Sequence, residues 1–101
     1  MYAARVIGTV VSTQKDPRMN SFKLLIVQPV NLITFENEGK PAVAVDAVGA
    51  GTSEIVLVVA GSSARLTELT LNKPVDSTIM AIVDYIDIEG KNVFSKNKKE
   101  M

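Results

Sequence analysis

Six apolar residues in a row, Ile55 to Ala60 (IVLVVA), follow an alternating stretch, Ala42 to Val48 (AVAVDAV), with Gly49-Ala50-Gly51 between them. A period of two sends successive side chains to opposite faces of a strand, and a short unbroken apolar run fits a strand buried on both faces. Both stretches are therefore predicted strands. Tyr2 to Thr13 predicts a first strand, with Ala4, Val6 and Val10 on one face and Ala3, Ile7 and Val11 on the other. Gly8 inside it signals a bulge, a bend or a close backbone approach. Lys23 to Gln28 (KLLIVQ) reads as a short buried strand, with Pro29 weakening the ladder after it. Ile79 to Ile88 reads as the longest strand, turned by Glu89-Gly90-Lys91 into a hairpin with Asn92 to Ser95.

Polar breaks separate these runs. Gln14 to Asn20 holds Asp16-Pro17 and predicts a loop, and Glu36-Asn37-Glu38-Gly39-Lys40 predicts a surface turn. Ser62 to Leu71 fits one short helix, N-capped by Ser62 or Ser63, with Leu66 and Leu69 on one face and Arg65 spaced to pair with Glu68. Asn72-Lys73-Pro74 ends it, and Val75 to Thr78 reads as a turn or a single helical turn capped by Asp76. Lys96 to Met101 is a polar, basic tail expected to fray. Short strands with turns between them and almost no helix predict an all-β fold. The candidates are a small β-barrel and a sandwich; an open sheet of this size leaves exposed edges, so closure into a barrel is favoured, with residues 1–95 as one domain.

The apolar pattern also bears on assembly. In Ile79 to Ile88, Met80, Ile82, Ile86 and Ile88 share one face and Ile79, Ala81, Val83 and Tyr85 the other. An antiparallel sheet normally turns one face to water and reads polar there. One short helix is little cover for a second apolar face, and another copy of the chain is the economical one. The plainer alternative is a strand crossing the middle of a compact barrel whose end the helix plugs.

Charge and composition narrow the chemistry. The 101 residues carry 11 Lys plus Arg against 11 Asp plus Glu, a formal net charge of zero. No global field draws nucleic acid or an anionic membrane surface. Cys and His are both absent, which removes thiolate chemistry, disulfides and the commonest general base and metal ligand. The N-terminus has no signal-peptide pattern, and no apolar run approaches the roughly 20 residues of a membrane helix. Asp46, Asp76, Asp84 and Asp87 lie on different elements without ligand spacing. No cofactor, metal site or catalytic set is expected. A single-stranded nucleic-acid module of the OB type is the main alternative, but it wants stacking aromatics and a basic groove, and here Trp is absent.

Two places carry the remaining readings. Gly49-Ala50-Gly51, with Thr52 and Ser53, is a phosphate cradle, a tight turn needing positive φ, or a loop near a symmetry axis where small residues let copies approach. No GK[ST] follows it, and the next element is a strand. Arg65, after four small residues, is either a solvated arginine or a fork to Asp46, Asp76 or Asp84 within or between subunits. Thr13 and Lys15 suggest an anion site or a solvated loop.

Taken in order, ARVIGTVVSTQK with Lys23-Leu24-Leu25, then Val43-Ala44-Val45-Asp46, Val48-Gly49-Ala50-Gly51, Gly61-Ser62-Ser63-Ala64-Arg65, Pro74-Val75-Asp76 and Ile82-Val83-Asp84, resemble the EutN/CcmL family over nearly the whole chain. The resemblance implies an OB-like five-stranded barrel with one short helix. It implies a homopentamer at the corners of a bacterial microcompartment shell in the cytoplasm, a carboxysome or metabolosome, among hexameric shell proteins. It favours the axis reading for Gly49, Ala50, Gly51, Thr52 and Ser53, and makes Asp46, Arg65, Asp76, Asp84 and Tyr85 candidates for the subunit interface. The segment from Pro29 to Pro41 matches least, as a peripheral loop or a contact to a hexameric partner.

Overall fold

The computed structural model describes residues 1–11, 16–19, 22–61, 64 and 76–96. The strands are β1 (Tyr2–Val10), β2 (Lys23–Pro29), β3 (Ala42–Asp46), β4 (Ile55–Ala60), β5 (Ser77–Ile82), β6 (Tyr85–Ile88) and β7 (Lys91–Ser95), with a 3-10 turn at Pro17–Met19. The first five close a barrel in the order β1-β2-β3-β5-β4; β6 and β7 form a separate two-stranded sheet. All barrel pairs are antiparallel except β3 with β5. The expected all-β barrel is what forms. Apart from Ala64, the expected helix at 62–71 lies outside the described residues, as do Arg65, Thr13 and Lys15.

Alternation builds the barrel interior. Ala4, Val6, Leu25, Val27, Ala44, Val56, Val58 and Ile79 pack there, with Tyr2, Ala42 and Ile82 against them. A second cluster, Phe22, Val45, Val59 and Ala64, is joined by Leu24 and Met80. Thr78 is fully buried in the barrel, and its hydroxyl donates to the Ala64 carbonyl at 2.6 Å, so no polar group is stranded there.

Gly8 marks a bulge. Register shifts between Val6 and Gly8, so Ile7 is an extra residue opposite β2, and Gly8 faces Ile26. A Cβ on Gly8 would meet Ile26 Cδ1 at 3.4 Å. The missing side chain thus leaves a notch on the outer wall.

Four expectations need correction. β1 ends at Val10 rather than Thr13. β3 ends at Asp46 rather than Val48, because one Asp46 carboxylate oxygen accepts the Val48 and Gly49 N–H groups at 3.0 and 2.9 Å and bends the chain out of the ladder. The stretch from Ile79 to Ile88 is two strands broken at Val83-Asp84, and Ser77 and Thr78 belong to the first of them rather than to a turn. Asp84 is therefore exposed in the break instead of sharing an apolar sheet face. Lastly, β4 is buried on both faces by its own chain. Val56 and Val58 face the barrel interior, while Ile55 and Leu57 pack with Ala3, Val30, Phe35, Val83 and Phe94. The cover for Ile55 and Leu57 comes from the 30–41 segment and the C-terminal hairpin, while Val59, further along the same face, packs with Phe22, Val45 and Ala64.

Candidate functional site: the Gly49 loop and the surfaces around it

The segment between β3 and β4 is organised by side chains at its two ends. Asp46 fixes its start. Glu54 fixes its finish: Oε1 accepts the Gly51 N–H at 2.6 Å, and Oε2 pairs with the Lys96 ammonium at 2.9 Å. The Ser53 N–H donates to the Val6 carbonyl at 2.8 Å, and the Val6 N–H to the Glu54 carbonyl at 3.0 Å, which ties the loop to β1 beside its bulge. Lys23 Nζ lies 3.4 Å from the Ala50 carbonyl. Gly49 has φ of 82° and Ser53 has φ of 77°. Positive φ is routine for glycine and strained for serine, so these bonds hold a fixed loop shape.

The side chains of this loop divide. Ala50 is 1% exposed and belongs to the barrel core. Thr52 and Ser53 are exposed at the tip. A charge at position 50 would therefore enter the barrel core, whereas Gly49, Thr52 and Ser53 lie at the surface.

The interface candidates are dispersed. Asp46 is 7% exposed and occupied by its own loop. Asp76 is exposed, and its carbonyl accepts the Gly61 N–H at 2.8 Å. The Asp84 carbonyl accepts the Lys96 N–H at 2.7 Å. Tyr85 is 64% exposed. Arg65 lies outside the described residues, so its fork to a carboxylate stays a sequence reading. Among the described residues no group of three acidic side chains is placed to hold a metal ion.

Sequence reasoning missed the Glu54–Lys96 pair. The ammonium of Lys96, and then the Gly51 N–H, hold the Glu54 carboxyl below the usual carboxylate range, and Glu54 raises Lys96 in return. Lys96, expected to fray with the tail, is thereby fastened to the Gly49 loop. A separation of 42 positions left no local signal for it. The exposed pair Asp16–Arg18, by contrast, is local: the Arg18 guanidinium donates to both carboxylate oxygens at 3.0 Å, and Asp16 drops to about 2.

The 30–41 segment is also ordered. Asn31 Oδ1 caps the Ile33 and Thr34 N–H groups at 2.8 and 3.0 Å. The buried Gln28 amide donates to the Pro29 and Gly39 carbonyls at 2.9 and 3.3 Å. Phe35 sits at φ of 60°, an unusual place for a bulky residue. Its carbonyl accepts from Arg5 at 3.1 Å, and its ring meets Phe94 with centroids 5.4 Å apart.

Known proteins match this chain along nearly its full length. The carboxysome shell vertex protein CcmL of Nostoc sp. is 45% identical over 101 residues, covering 95% of each chain. The solved structure of Gloeobacter violaceus CcmL superposes with a TM-score of 0.90 at 37% identity, covering 97% of this chain and 100% of that one. The GrpN pentameric microcompartment shell protein of Rhodospirillum rubrum superposes with a TM-score of 0.75 at 41% identity, covering 87% of this chain and 98% of that one. The family described as ethanolamine utilisation protein EutN/carboxysome matches residues 1–84, which take in the whole barrel and the Gly49 loop, and the chain belongs to that EutN/CcmL family.

Proposed function

We propose that this chain is a structural protein that assembles as a homopentamer and forms the vertex of a bacterial microcompartment shell. The observation that carries the reading is the agreement in sequence and fold with shell vertex proteins, one of them a solved pentamer. A sheet of hexamers tiles a plane and cannot close. A pentamer at a lattice point introduces curvature, and a fixed set of such points closes the shell. A cyclic ring of this kind is heterologous: one patch of each subunit meets a different patch on the next. The role is architectural and needs no catalysis, and it places the protein in the shell within the bacterial cytoplasm, among hexameric shell proteins. The single-stranded nucleic-acid reading gains nothing from these relatives.

Within this reading the tip of the Gly49 loop, Thr52 and Ser53, borders the five-fold axis, with Gly49, Ala50 and Gly51 setting its shape. Asp46, Arg65, Asp76, Asp84 and Tyr85 are the candidate interface residues, Asp46 acting through the loop it holds. The test is native mass spectrometry of the purified chain at micromolar concentration. A five-subunit species is expected, and a stable monomer would overturn the reading.

A further inference from the structure

Three observations make the β6–β7 hairpin an odd part of this molecule. It begins at Tyr85, just past residue 84, where the family match ends. It pairs with no barrel strand, and a lone two-stranded sheet is at best marginal in water. Among the described residues one of its faces is fastened. Ile86 lies directly opposite Phe94, and Phe94 packs against Ala3, Val30, Phe35 and Ile55. Tyr85, opposite Ser95, is on the other face, with 64% of its surface in water.

The outer wall of the barrel also exposes apolar side chains. Ile26 points outward between the core residues Leu25 and Val27, directly opposite Val43 on β3 and Gly8 on β1. Ile7, the extra residue of the bulge, is 47% exposed and Val43 is 49% exposed. Gly8 leaves room above Ile26 that any other residue would fill. The result is an apolar notch with Ile7 and Val43 at its sides, of a kind that an aromatic ring covers well.

A heterologous ring needs two different patches that fit each other, and these two lie on different elements of one subunit. Resting on the pentamer reading, we infer that the hairpin is an arm between subunits: Tyr85 of one copy seats over Gly8 and Ile26 of the next, between Ile7 and Val43. The hairpin's fastened face then belongs to its own barrel and its free face to the neighbour. The occupant of the notch is thus a second copy of this chain rather than a different protein.

The absence of cysteine gives a direct test. The double variant Tyr85→Cys/Val43→Cys is purified as the oligomer and oxidised mildly. Each subunit then offers one thiol to each neighbour, so a covalent ladder rising to the five-subunit species is expected on a non-reducing gel, with no ladder from either single variant. No cross-link, or a link formed only within one chain, would overturn the arm. Native mass of the unoxidised variant separates the two levels. A pentamer that does not cross-link sinks the arm alone, whereas a wild-type chain that is monomeric sinks the ring and the arm with it.

Discussion

Ala50 looks from its neighbours like part of an open turn, yet its methyl group belongs to the barrel interior. An ionised side chain there has no partner, and a buried unpaired carboxylate costs several kcal/mol. Ala50→Asp is expected to lower the barrel's own stability by at least about 2 kcal/mol, measured by urea unfolding of the circular dichroism signal. An unchanged midpoint would place the side chain outside the core. Thr52, exposed at the tip of the same loop, separates fold from assembly. If five copies bring their tips together, Thr52→Asp sets carboxylates facing one another, and at an effective dielectric of about 20 each close pair costs on the order of a few kcal/mol. The expected outcome is a native-like circular dichroism spectrum with reduced sedimentation; a fully assembled ring would place the loop away from the axis. The turn itself was legible in the two glycines around Ala50. Which way Ala50 points was not, because flanking glycines carry no side-chain alternation from which to read a face.

At the scale of elements, the strand pattern was readable wherever local alternation and pairing agree. β4 runs from Ile55 to Ala60 as its apolar run predicts, and Glu89 and Gly90, at φ of 51° and 80°, give the left-handed turn that the hairpin requires. The break at Val83-Asp84 was hidden because alternation continues across it. The Val83 N–H still donates to the Ile55 carbonyl at 2.8 Å, one step beyond the Val56–Ile82 pair, and the chain leaves β4 only after it, a departure that no local pattern announces. Beyond it, the Glu54–Lys96 pair couples the end of β7 to the Gly49 loop and makes that coupling sensitive to acid. The folded-state value of Glu54 is depressed. Its contribution is therefore present above the unfolded value of about 4.3 and is lost as pH falls through the lower folded value. Lys96 is raised, so from its side the pair is complete below about 10.4 and fails as pH climbs through the raised folded value. Glu54→Gln is expected to flatten the acid limb of a stability-against-pH profile below about pH 4, leaving, among the described residues, mainly the Asp16–Arg18 pair to titrate there. An acid limb identical to wild type would show that the pair contributes nothing to the fold.

For the whole molecule, the decisive question is whether the barrel depends on the ring. Apolar runs on both faces of the strands suggested that it does, since an uncovered face calls for a neighbour. The family's vertex role supports a ring, but the inference passed through a face that the chain covers itself: Ile55 and Leu57 meet Val30, Phe35 and Phe94 at home. That closure was not legible because Val30, Phe35 and Phe94 are far from β4 in sequence and reach it only through the 30–41 segment and the hairpin. Among the described residues the large apolar side chains still open, Ile7, Val43 and Tyr85 with Met1, Val11, Leu32, Ile33 and Val48, lie outside the sealed core. A subunit whose core closes without help stays folded when the ring comes apart, so dissociation and unfolding are expected as separate events. Association stabilises only the assembled state and so follows mass action. In thermal unfolding followed by both light scattering and circular dichroism, the loss of mass is expected to come first and to move upward with protein concentration. The loss of β signal follows at a temperature nearly independent of concentration. A single transition in which both signals move together with concentration would show instead that the barrel and the ring form one cooperative unit.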